Sequence, residues 1–193
     1  YTSNANYDVE VVPGDFIIEK SGEMEVIVTP FEGEYDGKEH TVTVETNIKE
    51  GTTIYYSTDE GETWTTEPPV WKDVTEPQTV YVKAENPNYK DVVVTETVTI
   101  LPRTITIESI SASKQYDGTP LTTPEGTRPL KMTGTFAEGE GDDVTFKMTG
   151  SQTEVGSSEN TFELSATTTN LNNYNIIKIY GTLTVEAIPI PTE

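Results

Sequence analysis

Cysteine is absent from all 193 residues. Disulfide staples and cysteine–zinc sites are therefore excluded, and there is no thiol nucleophile. Histidine occurs once, at His40, and arginine twice, at Arg103 and Arg128. Two arginines cannot form a three-arginine clamp on a carboxylate. No serine sits in a G-x-S-x-G elbow. Long apolar runs are missing too: no stretch approaches the ~18 residues of a membrane span, and no signal peptide is visible. No window sustains apolar residues at helical spacing for more than a couple of turns. Positive charge is scarce: 12 Lys and Arg stand against 33 Asp and Glu, a formal net charge of −21. Such a surface repels a phosphate backbone and anionic lipid headgroups, which argues against nucleic-acid or membrane-surface binding. Its bland role is to keep the chain dispersed. A cysteine-free chain suits a cytosolic protein or an exported protein of a Gram-positive bacterium, and by itself does not choose between them.

What is present suits strands. Thr, Val, Ile and Tyr are prominent, with 14 Gly and 12 Pro as punctuation. One pattern occurs three times: NANYDVEVVPGDFII from Asn4, NPNYKDVVVTETVTI from Asn86, and NLNNYNIIKIYGTLTV from Asn170. Tyr7 to Ile18, Tyr89 to Ile100 and Tyr174 to Val185 each span eleven positions. Gly14 and Gly181 both fall seven after their tyrosine, where the middle copy has Glu96. A second landmark repeats in register. Tyr35-Asp36-Gly37 and Tyr116-Asp117-Gly118 lie 81 apart, against 82 and 85 between successive closing tyrosines. Self-similarity at a fixed period marks an array. Units this long can hold their own small cores, like beads on a string.

The motif order divides the chain. Residues 1–20 carry the closing hairpin of a preceding repeat, 21–102 a first β unit, 103–188 a second, and 189–193 a Pro-containing linker. Strands are expected over 24–29, 41–45, 53–57, 79–84 and 92–100 in the first unit. In the second they are expected over 104–110, 130–135, 143–148, 160–166 and 174–185. Strict alternation within them implies antiparallel sheets with one solvated face. Asp-Gly supplies a turn, because Gly accepts positive φ without steric cost. The tyrosine before it reads as a core or edge anchor. In residues 1–20, the apolar face Val9, Val11, Phe16 and Ile18 lacks the unit it would close, so this segment is expected to pack on the first full unit or on a neighbouring molecule.

Tyr35-Asp36-Gly37, Tyr116-Asp117-Gly118, Asn86-Pro87-Asn88-Tyr89, Asn173-Tyr174 and the ending Gly181-Thr182-Leu183-Thr184-Val185 together resemble the MBG and YDG families of bacterial surface repeats. The resemblance covers nearly the whole chain. It implies all-β, tandem antiparallel β-sandwich (Ig-like) modules, with β-grasp-like modules as the alternative. It also implies a secreted or cell-wall-attached protein, an adhesin or its stalk. The family motif is structural, so no catalytic or ligand residue carries over.

Other motifs have structural readings. Ser57-Thr58-Asp59-Glu60-Gly61-Glu62-Thr63-Trp64 matches the Asp-box S-x-D-x-G-x-T-W found in sialidase hairpins. A propeller needs several copies and this chain has one, so the box reads as a hairpin in which Asp59 caps the turn and Trp64 packs beneath. Leu101-Pro102-Arg103-Thr104 lacks the Gly that would make a sorting signal. The acidic stretch 138–143 lacks the spacing of a calcium loop and reads as a solvated turn. Tyr55, Tyr56, Trp64 and Trp71 cluster in sequence and are the candidates for stacking on sugar rings. A core role is the competing reading for them. A Lys–Asn isopeptide bond would require a Lys/Asn/acid trio, and none stands out. The expectation is a non-enzymatic stalk or adhesin segment on the bacterial surface, without cofactor or metal, whose partners are neighbouring repeats. Direct binding of host glycans or mucin is the alternative.

Overall fold

A computed structural model describes residues 14, 19–20, 22–123 and 130–189. Apart from Gly14, the closing segment expected over residues 4–18, with Tyr7, lies outside the described residues. So does the tail from 190. The described chain is all-β, and its one short helix is a 3-10 turn over Leu171–Asn173.

In the first unit, β1 (Val26–Thr29) pairs antiparallel with β3 (Thr43–Thr46). A second sheet runs β2 (Phe31–Glu34), β6 (Tyr89–Leu101), β5 (Thr75–Asn86), β4 (Thr53–Ser57). Pro30 separates β1 from β2, and its missing N–H interrupts the ladder where the chain passes from one sheet to the other. Along β5, Val80, Val82 and Ala84 are fully buried while Tyr81, Lys83 and Glu85 face the other way. Those valines join Val98 of β6 and Val28 of β1 in one apolar cluster with Val42. Ile54 and Tyr56 of β4 pack against it.

The second unit contains β7 (Arg103–Ser109), β8 (Ala112–Gln115), β9 (Leu121–Thr122), β10 (Leu130–Thr133) and β11 (Thr145–Met148). It continues with β12 (Ser151–Gln152), β13 (Gly156–Glu159), β14 (Phe162–Ser165), β15 (Tyr174–Ile179) and β16 (Thr182–Glu186). Two three-stranded sheets, β10-β7-β15 and β13-β16-β8, carry most of it. The closing strand expected as one piece is broken at Tyr180-Gly181, beside the break in the opening strand at Ile110-Ser111. A buried polar node pins this bend. Ser109 Oγ donates to Asn160 O, Asn160 Nδ2 donates to Ile110 O and Thr123 Oγ1, and Gly181 N donates to Ser109 Oγ. A Cβ on Gly181 would lie 2.5 Å from Ser109 O and from the Ile110 carbonyl carbon, so only glycine fits without backbone movement. The first unit has Glu96 here, and β6 runs through it unbroken.

The expectation of purely antiparallel sheets needs correction. β2 pairs parallel with β6, β7 with β15, and β8 with β16. Each pair joins the opening strand of a unit to its closing strand. A parallel pair needs a long crossover, and here the rest of the unit supplies it. Alternation reports which face of a strand is buried and carries no information on a neighbour's direction, so the sequence pattern missed this.

Candidate functional site

The two repeated tyrosines meet where the units join. Only Pro102 separates β6 from β7, and Tyr35 N donates to Leu101 O at 2.8 Å, extending the β2–β6 ladder to the boundary. The Asp-Gly turn follows at once: Gly37 has φ of 79°, and Asp36 Oδ1 accepts from Lys38 N. Tyr35, 2 % exposed, thus points out of the first unit and into the second. Its hydroxyl donates to Glu140 Oε1 at 2.5 Å. Tyr174, the closing tyrosine of the second unit, donates to Glu140 Oε2 at 2.6 Å and accepts from Ala137 N. The two rings meet edge to face with centroids 5.5 Å apart, and Phe136 packs on Tyr174 in the same manner. One carboxylate therefore bridges a tyrosine from each unit.

Around this clamp one apolar cluster takes Tyr35 and Ile100 from the first unit and Ile105, Ile107, Ala137, Phe162 and Tyr174 from the second. Asn173, 1 % exposed, adds a polar strap: its side chain accepts from Val74 N and donates to Asp73 Oδ1 at 2.7 Å. The extra Asn of the third closing segment thus lies against the preceding unit. Burial first, and then the Glu140 carboxylate, push the Tyr174 hydroxyl up to about 12. The same causes push Tyr35 higher still. Both phenols stay protonated as donors.

The four aromatic candidates for sugar stacking do not form one surface. Tyr55 and Trp64 share a face on which Lys83 Nζ lies 5.2 Å from the Tyr55 ring centroid and 4.6 Å from that of Trp64. Tyr56 points the other way, into the valine cluster. Trp71 packs against both apolar clusters and pairs with His40 through the backbone. His40 itself is stacked on Phe31 and bonded to Asp36, outside any catalytic grouping.

The Asp-box is a self-contained hairpin turn. Asp59 accepts from Ser57 Oγ, Thr63 N and Thr63 Oγ1, and Gly61 N donates to Ser57 Oγ. Gly61 has φ of 86°, with the Trp64 ring against it. The Ser57 hydroxyl and then the Thr63 donors hold Asp59 down to about 2. In the acidic stretch, Asp143 turns inward and accepts the backbone N–H groups of Thr167, Thr168 and Thr169. Among the described residues no three His, Asp or Glu gather as a metal site, and no helix is long and apolar enough to cross a membrane.

Sequence reasoning singled out Tyr35, Tyr89, Tyr116 and Tyr174 without pairing any two. It set Glu140 aside as part of a solvated loop. Glu-Gly stands before a strand at Glu50-Gly51 and Glu140-Gly141, but the pair also occurs at Glu32, Glu60, Glu125 and Glu138, so no local signal marks Glu140. No protein-family model matches the chain, and no curated protein matches it.

Proposed function

We propose that this chain is a non-enzymatic stalk or adhesin segment of a secreted or wall-attached bacterial surface protein, built from tandem Ig-like β modules. The observation that carries the reading is the shared joint: tyrosines of successive units converge on Glu140 inside one apolar cluster. A tether that must hold a distal head away from a wall needs joints that resist bending. Packed aromatics and a buried strap restrict a joint more than a lone proline does. The module reading is supported by two sheets contributing to one valine layer, with opening and closing strands paired in parallel. A β-grasp would need a helix packed on the sheet, and the described residues hold only a three-residue 3-10 turn. The high negative charge suits a chain that stays extended and dispersed. The resemblance of the sequence motifs to the MBG and YDG repeats is what suggests the bacterial surface.

Small-angle scattering of the full chain tests the reading. A stalk gives a rod-like profile, and a compact profile contradicts it. The glycan or mucin reading keeps one supporting observation, the Tyr55–Lys83–Trp64 face. Saturable binding on a glycan array, lost in Trp64→Ala, would favour it. Trp71→Ala is a poor probe, because it strips packing from both clusters.

A further inference from the structure

The joint is seen once, yet each unit carries both of its halves. The Tyr-Asp-Gly turns are alike in detail. Tyr35 N donates to Leu101 O and Tyr116 N to Glu186 O, each at 2.8 Å. Asp36 Oδ1 accepts from Lys38 N and Asp117 Oδ1 from Thr119 N, each at 2.9 Å. Gly37 and Gly118 have φ of 79° and 78°. The receiving half repeats as well. Glu140-Gly141 and Glu50-Gly51 both precede a strand, with φ of 91° and 73° at the glycines. Tyr174 and Tyr89 both open a closing strand. Asn170 Oδ1 accepts from Asn172 N just as Asn86 Oδ1 accepts from Asn88 N.

The difference is occupancy. Tyr35 and Tyr174 are buried at the joint, whereas Tyr116 and Tyr89 are only half-buried. Between the turns 47–51 and 86–89 lies an open groove of about 480 Å³ whose walls include Glu50 and Tyr89. It occupies the place in the first unit that holds Tyr35 in the second. Tyr89 opens β6 and Leu101 ends it. Thirteen residues of strand put the two halves about 40 Å apart, at opposite ends of one unit. A heterologous pair at opposite ends propagates head to tail.

We infer that the Glu50–Tyr89 groove is a docking socket for the Tyr-Asp-Gly tyrosine of another unit of this repeat placed ahead of the first, with Glu50 accepting its hydroxyl. Tyr116 is the matching plug at the far end. This rests on the tandem-module reading and adds to it a rule for how successive units lock.

The test inserts a copy of residues 104–187 between Lys20 and Ser21 of the full chain, which brings a Tyr-Asp-Gly turn up to the groove. Tyr116→Phe is then made in the inserted copy alone or in the C-terminal copy alone, and urea unfolding is measured. In the inserted copy the substitution should shift the unfolding equilibrium roughly tenfold, the value of one hydrogen bond to a carboxylate. In the C-terminal copy it should shift nothing. Glu50→Gln should reproduce the loss, and the double variant should be no worse than either single one. Equal effects of Tyr116→Phe in both copies, or no effect in the inserted one, overturn the socket. Such a result leaves the stalk reading intact if the two-unit chain still scatters as a rod.

Discussion

The occupied joint and its two counterparts are built from the same motifs, and among the described residues they differ in what covers them. At the joint, Tyr35 is 2 % and Tyr174 6 % exposed, and Glu140 accepts both hydroxyls. At the ends, Tyr116 and Tyr89 are half-buried and the groove beside Glu50 is open. A repeated motif therefore does not carry a fixed energetic value. The same Tyr-Asp-Gly turn is a core element at Tyr35 and a half-buried one at Tyr116.

The largest break in this comparison should come from Tyr174→Ala. It removes a buried ring and two hydrogen bonds, and should cost about 3–5 kcal/mol in urea unfolding. Tyr89→Ala, its half-buried counterpart, should cost about 1 kcal/mol. Next is the closing strand itself. Gly181→Ala forces a Cβ onto the Ser109 and Ile110 backbone and should cost about 1–3 kcal/mol, whereas Glu96→Ala at the matching place in β6 should be near neutral. A smaller contrast separates the two Tyr-Asp-Gly tyrosines. Tyr35→Phe loses a bond to a carboxylate and should cost about 1.5 kcal/mol, while Tyr116→Phe should stay within about 0.5 kcal/mol.

The last contrast is in pH dependence. Tyr174 holds its proton up to about 12 in the folded chain, against about 10 for an unfolded tyrosine. A folded value above the unfolded one gives stability that is complete below about pH 10 and lost as the pH climbs toward about 12. Urea midpoints across that range should fall, and Tyr174→Phe should flatten the fall. An unchanged slope in that variant would show that other groups govern alkaline unfolding.

Much of this was legible in the sequence. Alternation located β4 at its observed bounds and found the valine rows of β5 and β6, because a one-sided core imposes period two. The repeat landmarks picked out both joint tyrosines. Three things were hidden. β13 is Gly-Ser-Ser-Glu and has no strand propensity of its own, so only its pairing with β16 makes it a strand. The parallel pairs join residues about 70 apart, a relation no local pattern encodes. Glu140 sits among five other residues of an acidic Gly-rich loop. Nothing local distinguishes the carboxylate that faces two tyrosines from those that face water.

Glu140 couples the two units directly. A double-mutant cycle on Tyr35→Phe and Glu140→Gln, read by equilibrium urea unfolding, measures that coupling. The predicted result is an interaction energy of about 1–2 kcal/mol between a residue of the first unit and a residue of the second. Strict additivity of the two substitutions would contradict it and would leave the apolar cluster and the Asn173 strap to join the units.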